Sequence, residues 1–502
     1  MTTDTKPVQE NPAYRDTSPI AALATPLAES ALALIRTSGG GCSVNAESSA
    51  ASSIELLASI FSRPEKLRAA LPNSIIHGWM HEPDHPEKKI DEVLLSVYRA
   101  PHSYTGEDGV DISCHGGIAT VKAILAVLKK AGFRDALGGE FTFRAFMNGK
   151  LDLTRAESVM ELVAAKTDKG REQALRRLSG SLQREVSEIK DLLVEVLAGT
   201  EIYLDYSEDE FFGNEDDRSA GSPSDEEAGR LPMHSLAREA EQRMKVLAAQ
   251  WQRQLLYTEG ILAVIAGRPN AGKSSLFNFL IREDRSIVTD IPGTTRDWIE
   301  ASLSIDGIPI RLADTAGLRD SETSDEVERI GIQRSRDLVA HAGIVLYIIN
   351  GAEGITREDT EFIAAHTKAA AGKPILVLWN KADIVPPSDH HAIPDVQLLP
   401  VSAHTGLGID LLTRAIAELL QTNNSGSYNE DAIGPGTLRQ KELIDTALSF
   451  VTEALSLAKQ NEPLDIIAPL FRSAIYTLAE ITGEVSASDI FDTMFSRFCV
   501  GK

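Results

Sequence analysis

The chain has 502 residues, enough for about three domains at roughly 150 residues each. Hydrophobic residues at 43% and charged residues at 25% are the balance of an ordinary globular protein and exclude a mostly disordered chain. Fifty Lys and Arg against 73 Asp and Glu leave a net charge of −23, which excludes non-specific nucleic-acid binding through a basic surface.

Residues 1–18 are polar, contain Pro7 and Pro12, and read as a loose tail. Lys6 and Arg15 precede a partly apolar segment, but Pro19, Pro26 and Glu29 interrupt it, so no signal peptide is expected. From residue 19 to Lys150 short apolar runs alternate with turns. Ile20–Ala24, Ala31–Ile35 and Val93–Tyr98 have the character of strands and Val121–Lys129 that of a helix, which predicts an α/β or α+β domain. After Leu151 the period changes. Leu175, Leu178, Leu182, Val186, Ile189, Leu193 and Val196 recur every three or four residues and are expected on one face of a helix. Residues 207–230 interrupt this with Gly, Ser and Pro and nine acidic side chains against two Arg, the composition of a solvated loop or an acidic docking segment.

A second α/β pattern occupies 259–421, with apolar strands at Ile261–Ala266, Ile308–Ala313, Ile344–Ile349, Ile375–Trp379 and Leu398–Val401. Helical spacing returns at Ile444, Leu448, Val451 and Leu455 and again at Ile467, Phe471, Ile475 and Leu478. The simplest architecture is one helical domain made of 151–258 and 422–502 with an α/β domain inserted; two separate small bundles would give the same periodicity. No stretch approaches the ~18 apolar residues of a membrane helix. Cys42, Cys114 and Cys499 lack metal-ligand spacing and cannot form a disulfide framework. A soluble, cytoplasmic protein is expected.

Gly267-Arg-Pro-Asn-Ala-Gly272-Lys273-Ser274 follows an apolar strand and precedes the helical start at Ser275. This is the G-x-x-x-x-G-K-S loop in the context its chemistry requires. Its glycines let backbone N–H groups wrap phosphates, with Asn270 and Ala271 at the tip. Lys273 neutralises the outer phosphates and Ser274 offers a hydroxyl to Mg²⁺. Asp314-Thr315-Ala316-Gly317 follows the next strand, its Asp suited to reach Mg²⁺ through water and its Gly to donate to the γ-phosphate. Asn380-Lys381-Ala382-Asp383 follows Ile375–Trp379, and the two oxygens of Asp383 match the N1–H and N2–H₂ donors of guanine. Ser402-Ala403, with His404 next, supports the base. Four motifs in this order predict GTP as the nucleotide. Between them lies Thr289-Asp290-Ile291-Pro292-Gly293-Thr294-Thr295, where a switch segment belongs, and Thr295 is the expected second hydroxyl ligand of Mg²⁺; a Thr-rich turn without metal is the plainer alternative. Ras-type enzymes place a water-orienting Gln directly after the Asp-containing motif. Here Leu318 stands there, and Asp325-Glu-Val-Glu328 is the nearest supply of carboxylates.

These motifs, Asp325-Glu-Val-Glu-Arg-Ile-Gly331, and the terminal Phe498-Cys-Val-Gly-Lys502 together resemble the MnmE (TrmE) family of bacterial and organellar tRNA-modification GTPases. So do the runs Ser103-Tyr-Thr-Gly-Glu-Asp108, His115-Gly-Gly117 and Gly139-Glu-Phe-Thr-Phe-Arg-Ala-Phe-Met-Asn-Gly-Lys150, and the resemblance extends from Ile20 to Lys502. It implies a multidomain α/β protein: an N-terminal folate-binding α/β domain at 19–150 that dimerises, a discontinuous all-α helical domain, and an inserted Ras-like P-loop GTPase domain. It implies a homodimer that joins the FAD-containing MnmG in a heterotetramer and acts on tRNA, installing an aminomethyl or carboxymethylaminomethyl group at C5 of the wobble uridine. A tetrahydrofolate derivative, 5-formyl or methylene, is the implied one-carbon cofactor. Potassium is implied at each GTPase site, held by Asn270, Thr289, Ile291 and Thr294, and Glu328 matches the family's water-orienting glutamate. Arg36, Asp111, Lys150 and Lys502 match its folate-binding positions.

Three departures are visible. Asp111 stands where the family usually has Glu, Ala24–Ser30 lacks the family's loop glycines, and Gly138 replaces a Pro. Cys499 reads either as a small buried hydrophobe or as a reactive cysteine, with no activating His in evidence near it. Cys42 and Cys114 are expected to be structural. Two other functions compete: a regulatory P-loop GTPase switch in ribosome assembly, and a folate enzyme regulated by its GTPase domain.

Overall fold

The computed structural model describes residues 14, 16–41, 52–205, 234–283, 300–314, 338–368, 374–388, 393, 396–422, 432–485, 494–495, 498 and 501. The chain divides into two compact units. One comprises Met1–Met160, Leu178–Glu241 and Thr446–Lys502; the other comprises Glu161–Arg177 and Gln242–Asp445.

The first unit is built on strands β1 (Ile20–Leu23), β2 (Leu32–Ser38), β3 (Ser74–Glu82), β4 (His85–Tyr98), β5 (Gly109–His115) and β6 (Arg134–Asp135), in the order β3-β4-β5-β2-β1-β6. Every pairing is antiparallel except β1 with β6. Alternation along the strands sends Ile35, Ile76, Leu95 and Ile112 to one face, where Leu57 of α1 (Ser53–Ala58), Leu67 of α2 (Pro64–Arg68) and Val121, Ile124 and Leu128 of α3 (Ile118–Ala131) close the core. Helix α4 (Glu140–Met147) joins Ile20 and Ala22 of β1 through Phe141. The strand expectations hold, with β2 running on to Ser38 and β4 starting as early as His85.

Helices α5 (Leu153–Ala164), α6 (Asp168–Leu178) and α7 (Ser181–Asp205) follow, then α8 (His234–Ala249) and α9 (Trp251–Thr258). One expectation is corrected here. Leu175 does not share a helix with Leu182: Gly180 takes φ 86, a conformation open to glycine, and the chain breaks into two helices around it. Leu175 is exposed, whereas Leu182, Val186, Ile189, Leu193 and Val196 are buried on α7. Helix α7 packs on α14 (Leu464–Thr482), which buries Ile467, Phe471, Ala474 and Leu478. The acidic stretch 207–230 lies outside the described residues.

The second unit holds a six-stranded sheet, β12-β11-β10-β7-β9-β8, built from β7 (Ile261–Gly267), β8 (Glu300–Ile305), β9 (Ile308–Asp314), β10 (Ile344–Asn350), β11 (Ile375–Asn380) and β12 (Leu398–Pro400). It is parallel except for the β8–β9 pair. The apolar runs of β7 and β10 are continuous because both faces are covered. Ala263, Ile265, Leu346 and Ile348 meet Leu276 and Leu280 of α10 (Lys273–Glu283) and Leu412 and Ile416 of α12 (Ile409–Thr422). Val264, Ala266, Val345 and Ile349 meet Ile363 of α11 (Arg357–Lys368) on the other face. Helix α13 (Leu438–Lys459) precedes α14. Among the described residues no helix is long and apolar enough to cross a membrane.

Candidate functional site

Parallel strands end on one side of their sheet, and in open α/β sheets ligands bind outside those carboxyl ends. Here β7 runs into the Gly267–Ser274 loop, β9 ends on Asp314, β11 ends on Asn380, and β12 leads to Ser402. The loop turns through left-handed or glycine-only conformations at Gly267 (φ 147), Asn270 (φ 59) and Gly272 (φ 98). Gly272 is required for packing: a Cβ would fall 2.1 Å from Asn380 Nδ2. That amide donates to Ala271 O at 2.8 Å while its Oδ1 accepts from Ala403 N at 3.1 Å, so buried Asn380 ties the phosphate loop to the base-side loop. Lys273, buried, lies along the loop with Nζ donating to Gly267 O at 3.1 Å and Arg268 O at 2.8 Å. Ser274 Oγ donates to Asp314 Oδ2 at 2.8 Å. Lys381 adopts φ 63, Asp383 is exposed, and Ser402 Oγ accepts from His404 N and Thr405 N at 3.3 and 3.2 Å, which fixes the turn after β12. Ser275 opens α10. Thr289 through Thr295, Thr315, Ala316, Gly317 and Glu328 lie outside the described residues.

A second cluster forms in the first unit. Cross-strand register places Arg36 of β2 against Asp111 of β5, and Arg36 Nε donates to Asp111 Oδ1 at 3.1 Å. Arg36 Nη1 also donates to Gly501 O at 3.2 Å, so the chain's end reaches the sheet. Asp111, although shorter than Glu, reaches the guanidinium directly. Lys150 Nζ donates instead to Pro101 O at 3.0 Å. Lys502, Cys499 and Cys42 are outside the described residues. Cys114 is buried, and burial, with the neighbouring Asp91 charge, pushes its thiol up to about 11.

Two family models match this chain: "GTP-binding protein TrmE N-terminus" over residues 19–150 and "MnmE helical domain" over residues 153–499. The chain is 41% identical over 496 residues to the tRNA modification GTPase MnmE of Treponema denticola, covering 96% of this chain and 98% of that one. It is 36% identical over 490 residues to the protein of the same name from Carboxydothermus hydrogenoformans, covering 96% and 99%. The chain belongs to the MnmE/TrmE family. A crystal structure of Aquifex aeolicus Era bound to GDP·AlF4⁻ is also similar, at 26% identity and TM-score 0.25, covering 38% of this chain and 66% of that one.

As an MnmE-family enzyme the protein is a GTPase that hydrolyses GTP to GDP and phosphate. Its fold is multidomain α/β with a helical part and a P-loop GTPase part. In the N-terminal domain the structure also pairs polar side chains within and beside the family's motif runs. Tyr104 OH pairs with Thr142 Oγ1 at 3.0 Å, joining the Ser103–Asp108 run to α4, and burial raises its phenol. Tyr98 is raised by burial and by the Asp111 charge. Buried Arg144 donates to Glu107 Oε2 and Glu140 Oε1, both at 2.9 Å, and Arg134 also binds Glu140. Tyr104, Glu107, Glu140, Thr142 and Arg144 belong to the motif runs, whereas Tyr98 and Arg134 lie outside them; the Tyr104–Thr142 and Arg144–Glu107 pairings join residues distant in sequence.

Proposed function

We propose that this GTPase is potassium-dependent, acts as a cytoplasmic homodimer with the FAD-dependent MnmG, and installs the aminomethyl or carboxymethylaminomethyl group at C5 of the wobble uridine of certain tRNAs, drawing the carbon from a tetrahydrofolate derivative. The reading rests on family membership, and one observation carries it beyond a generic GTPase: the Arg36–Asp111–Gly501 cluster, an arginine and a carboxylate beside the chain's last residues. An arginine suits folate carboxylates, and Asp111 can accept pterin N–H donors; Lys150 and Lys502 complete the proposed site. The domain reading is 19–150 for folate binding and dimerisation, 151–258 with 422–502 for the helical domain, and 259–421 for the GTPase.

In GTP hydrolysis a water oxygen bonds to the γ-phosphorus as the bond to the bridging oxygen breaks, and charge builds on the phosphate oxygens. Asp383 selects guanine, backbone N–H groups from Asn270 to Ser275 cradle the phosphates, and Lys273 leaves its loop carbonyls to balance their charge. Ser274 Oγ and Asp314 Oδ2, hard oxygens 2.8 Å apart, fit a site for Mg²⁺, with Thr295 as the further hydroxyl. Bound there, Mg²⁺ neutralises charge on the β- and γ-phosphates. The exposed Asn270 at the loop tip offers an amide oxygen to potassium, with Thr289, Ile291 and Thr294 as its other proposed ligands. Potassium there stabilises charge that develops on the phosphates. Glu328 orients the water, the role Leu318 cannot fill. Glu328→Ala should bind GTP and lose most turnover; unchanged hydrolysis in saturating potassium removes it from the mechanism.

The deciding experiment is mass spectrometry of tRNA nucleosides from a strain lacking this gene, complemented with wild type or Lys273→Ala. Wobble-uridine modification restored only by wild type is the expected result. Intact modification in the deletion strain, with no redundant copy, would leave the GTPase and overturn the pathway.

A further inference from the structure

The loop that follows β10 belongs to none of the nucleotide motifs, yet it is closely built. Buried Asn350, the last residue of β10, pairs across the sheet with Asn380, the last of β11. Its main-chain oxygen accepts from Glu353 N and Gly354 N, each at 3.0 Å, and its Oδ1 accepts from Ala352 N at 3.2 Å. Gly351 N donates to Asn380 O at 3.0 Å, and a Cβ on Gly351 would fall 2.6 Å from that oxygen, so a glycine lets the two strand ends come this close. At the loop's far end Thr356 N and Oγ1 donate to Oδ2 of buried Asp359 at 2.8 and 2.7 Å, a capping box that fixes the start of α11.

Two carboxylates reach from this frame to the phosphate loop. Glu353 Oε1 accepts from Asn350 Nδ2 at 2.7 Å, and Glu353 Oε2 lies 3.3 Å from Arg268 Nη1. Glu358, the more exposed of the two, places Oε2 3.3 Å from Arg268 Nε. A buried amide therefore orients the carboxylate that meets the arginine. Arg268 is held twice: its guanidinium by these acids, and its carbonyl by Lys273 Nζ at 2.8 Å. Three residues on, Ala271 O is held by Asn380. Between these two points stand Pro269 and Asn270, both exposed, with Asn270 at φ 59. The loop tip is thus an arc with two feet, one tied to the end of β10 through Glu353 and the other to the end of β11 through Asn380.

We propose that Glu353 is a positioning residue for GTP binding: with Asn380 at the other foot, it keeps the phosphate loop in its receptive shape. This rests on the phosphate-loop reading above and on none of the folate, potassium or tRNA chemistry. Lys273 gives up the Arg268 carbonyl when it turns to the phosphates, and Glu353 holds residue 268 in place through that exchange. As an anion, Glu353 acts on the phosphates only through Arg268. A loop that spends less time in the receptive shape takes up nucleotide more slowly, in proportion to the fraction lost. A bound nucleotide holds the loop's N–H groups itself, so its departure is unaffected.

The test is stopped-flow binding of a fluorescent GDP to the full-length protein, with association and dissociation measured separately. Glu353→Ala should slow association about fivefold, the scale of a partly exposed ion pair, and leave dissociation unchanged. Arg268→Ala should slow association at least as much, and adding Glu353→Ala to it should change nothing further. Additive slowing would mean that Glu353 acts by another route and would overturn the assignment. A general loosening of the domain would instead speed dissociation and lower the unfolding temperature, and would overturn it too, as would two unaltered rates. Wild type binding no guanine nucleotide would bring down the phosphate-loop reading itself.

Discussion

Arg36 and Gly501 stand 465 positions apart in the chain, yet the arginine's Nη1 donates to the glycine's carbonyl at 3.2 Å. Aromatic packing makes that contact possible. Phe495 meets Phe143 of α4 edge-on with centroids 5.3 Å apart, and Phe498 joins the same buried cluster. Gly139 takes φ 68, and a Cβ there would lie 2.7 Å from Phe498 Cβ. The run from Gly139 thus packs directly against Phe498, the first residue of the terminal pentapeptide.

Phe498→Ala should therefore loosen the chain's end. Truncating a buried Phe costs about 3–5 kcal/mol, ample to release a short terminal segment. Carboxypeptidase should trim the variant rapidly while sparing wild type, and 5-formyltetrahydrofolate affinity should fall about tenfold or more. Equal resistance to trimming would show that Phe498 does not hold the terminus.

Asn380→Ala removes both bonds that join Ala271 to Ala403 across the nucleotide site. Leaving buried backbone groups unsatisfied costs about 1–3 kcal/mol each. GTP and GDP affinities should fall together, by about a hundredfold, in equilibrium titration with a fluorescent guanine nucleotide. A loss confined to GTP would place the role of Asn380 at the γ-phosphate instead.

Asp383→Asn exchanges one acceptor oxygen for a donor amide. Guanine loses a partner for its N–H groups, while xanthine, with a carbonyl at C2, gains a donor. Steady-state hydrolysis should shift from GTP to XTP, each changing about tenfold or more. Retained GTP preference would mean that Asp383 does not face the base.

Cys114 should resist alkylation in the native protein. Its thiol is raised by burial first and by Asp91 second, to about 11, so only about one part in a thousand is thiolate at pH 8. A raised folded-state value means that the neutral thiol is favoured. The stability it contributes is complete below the unfolded thiol's value near 9 and is lost as pH rises towards 11. Iodoacetamide labelling followed by peptide mapping should find Cys114 unmodified at pH 8 and labelled as pH approaches 11. Ready labelling at pH 7 would contradict the buried environment.

The sequence by itself determined the local events: the phosphate loop between strand and helix, the Asn380–Asp383 motif, the doubly buried runs of β7 and β10, and the helical faces of α7 and α14. Each depends on residues a few positions apart, where the strand and helix periods are visible in the string. Tertiary structure decided the rest. The helical period ran unbroken from Leu175 to Val196, yet Gly180 could turn and separate Leu175 from that face. The tie from Asn380 to Ala271, the Arg36–Asp111–Gly501 cluster and the contact of Glu353 with Arg268 join distant parts of the chain. Their partners are chosen by sheet order, strand register and the room left by glycines, and those depend on how the whole core packs.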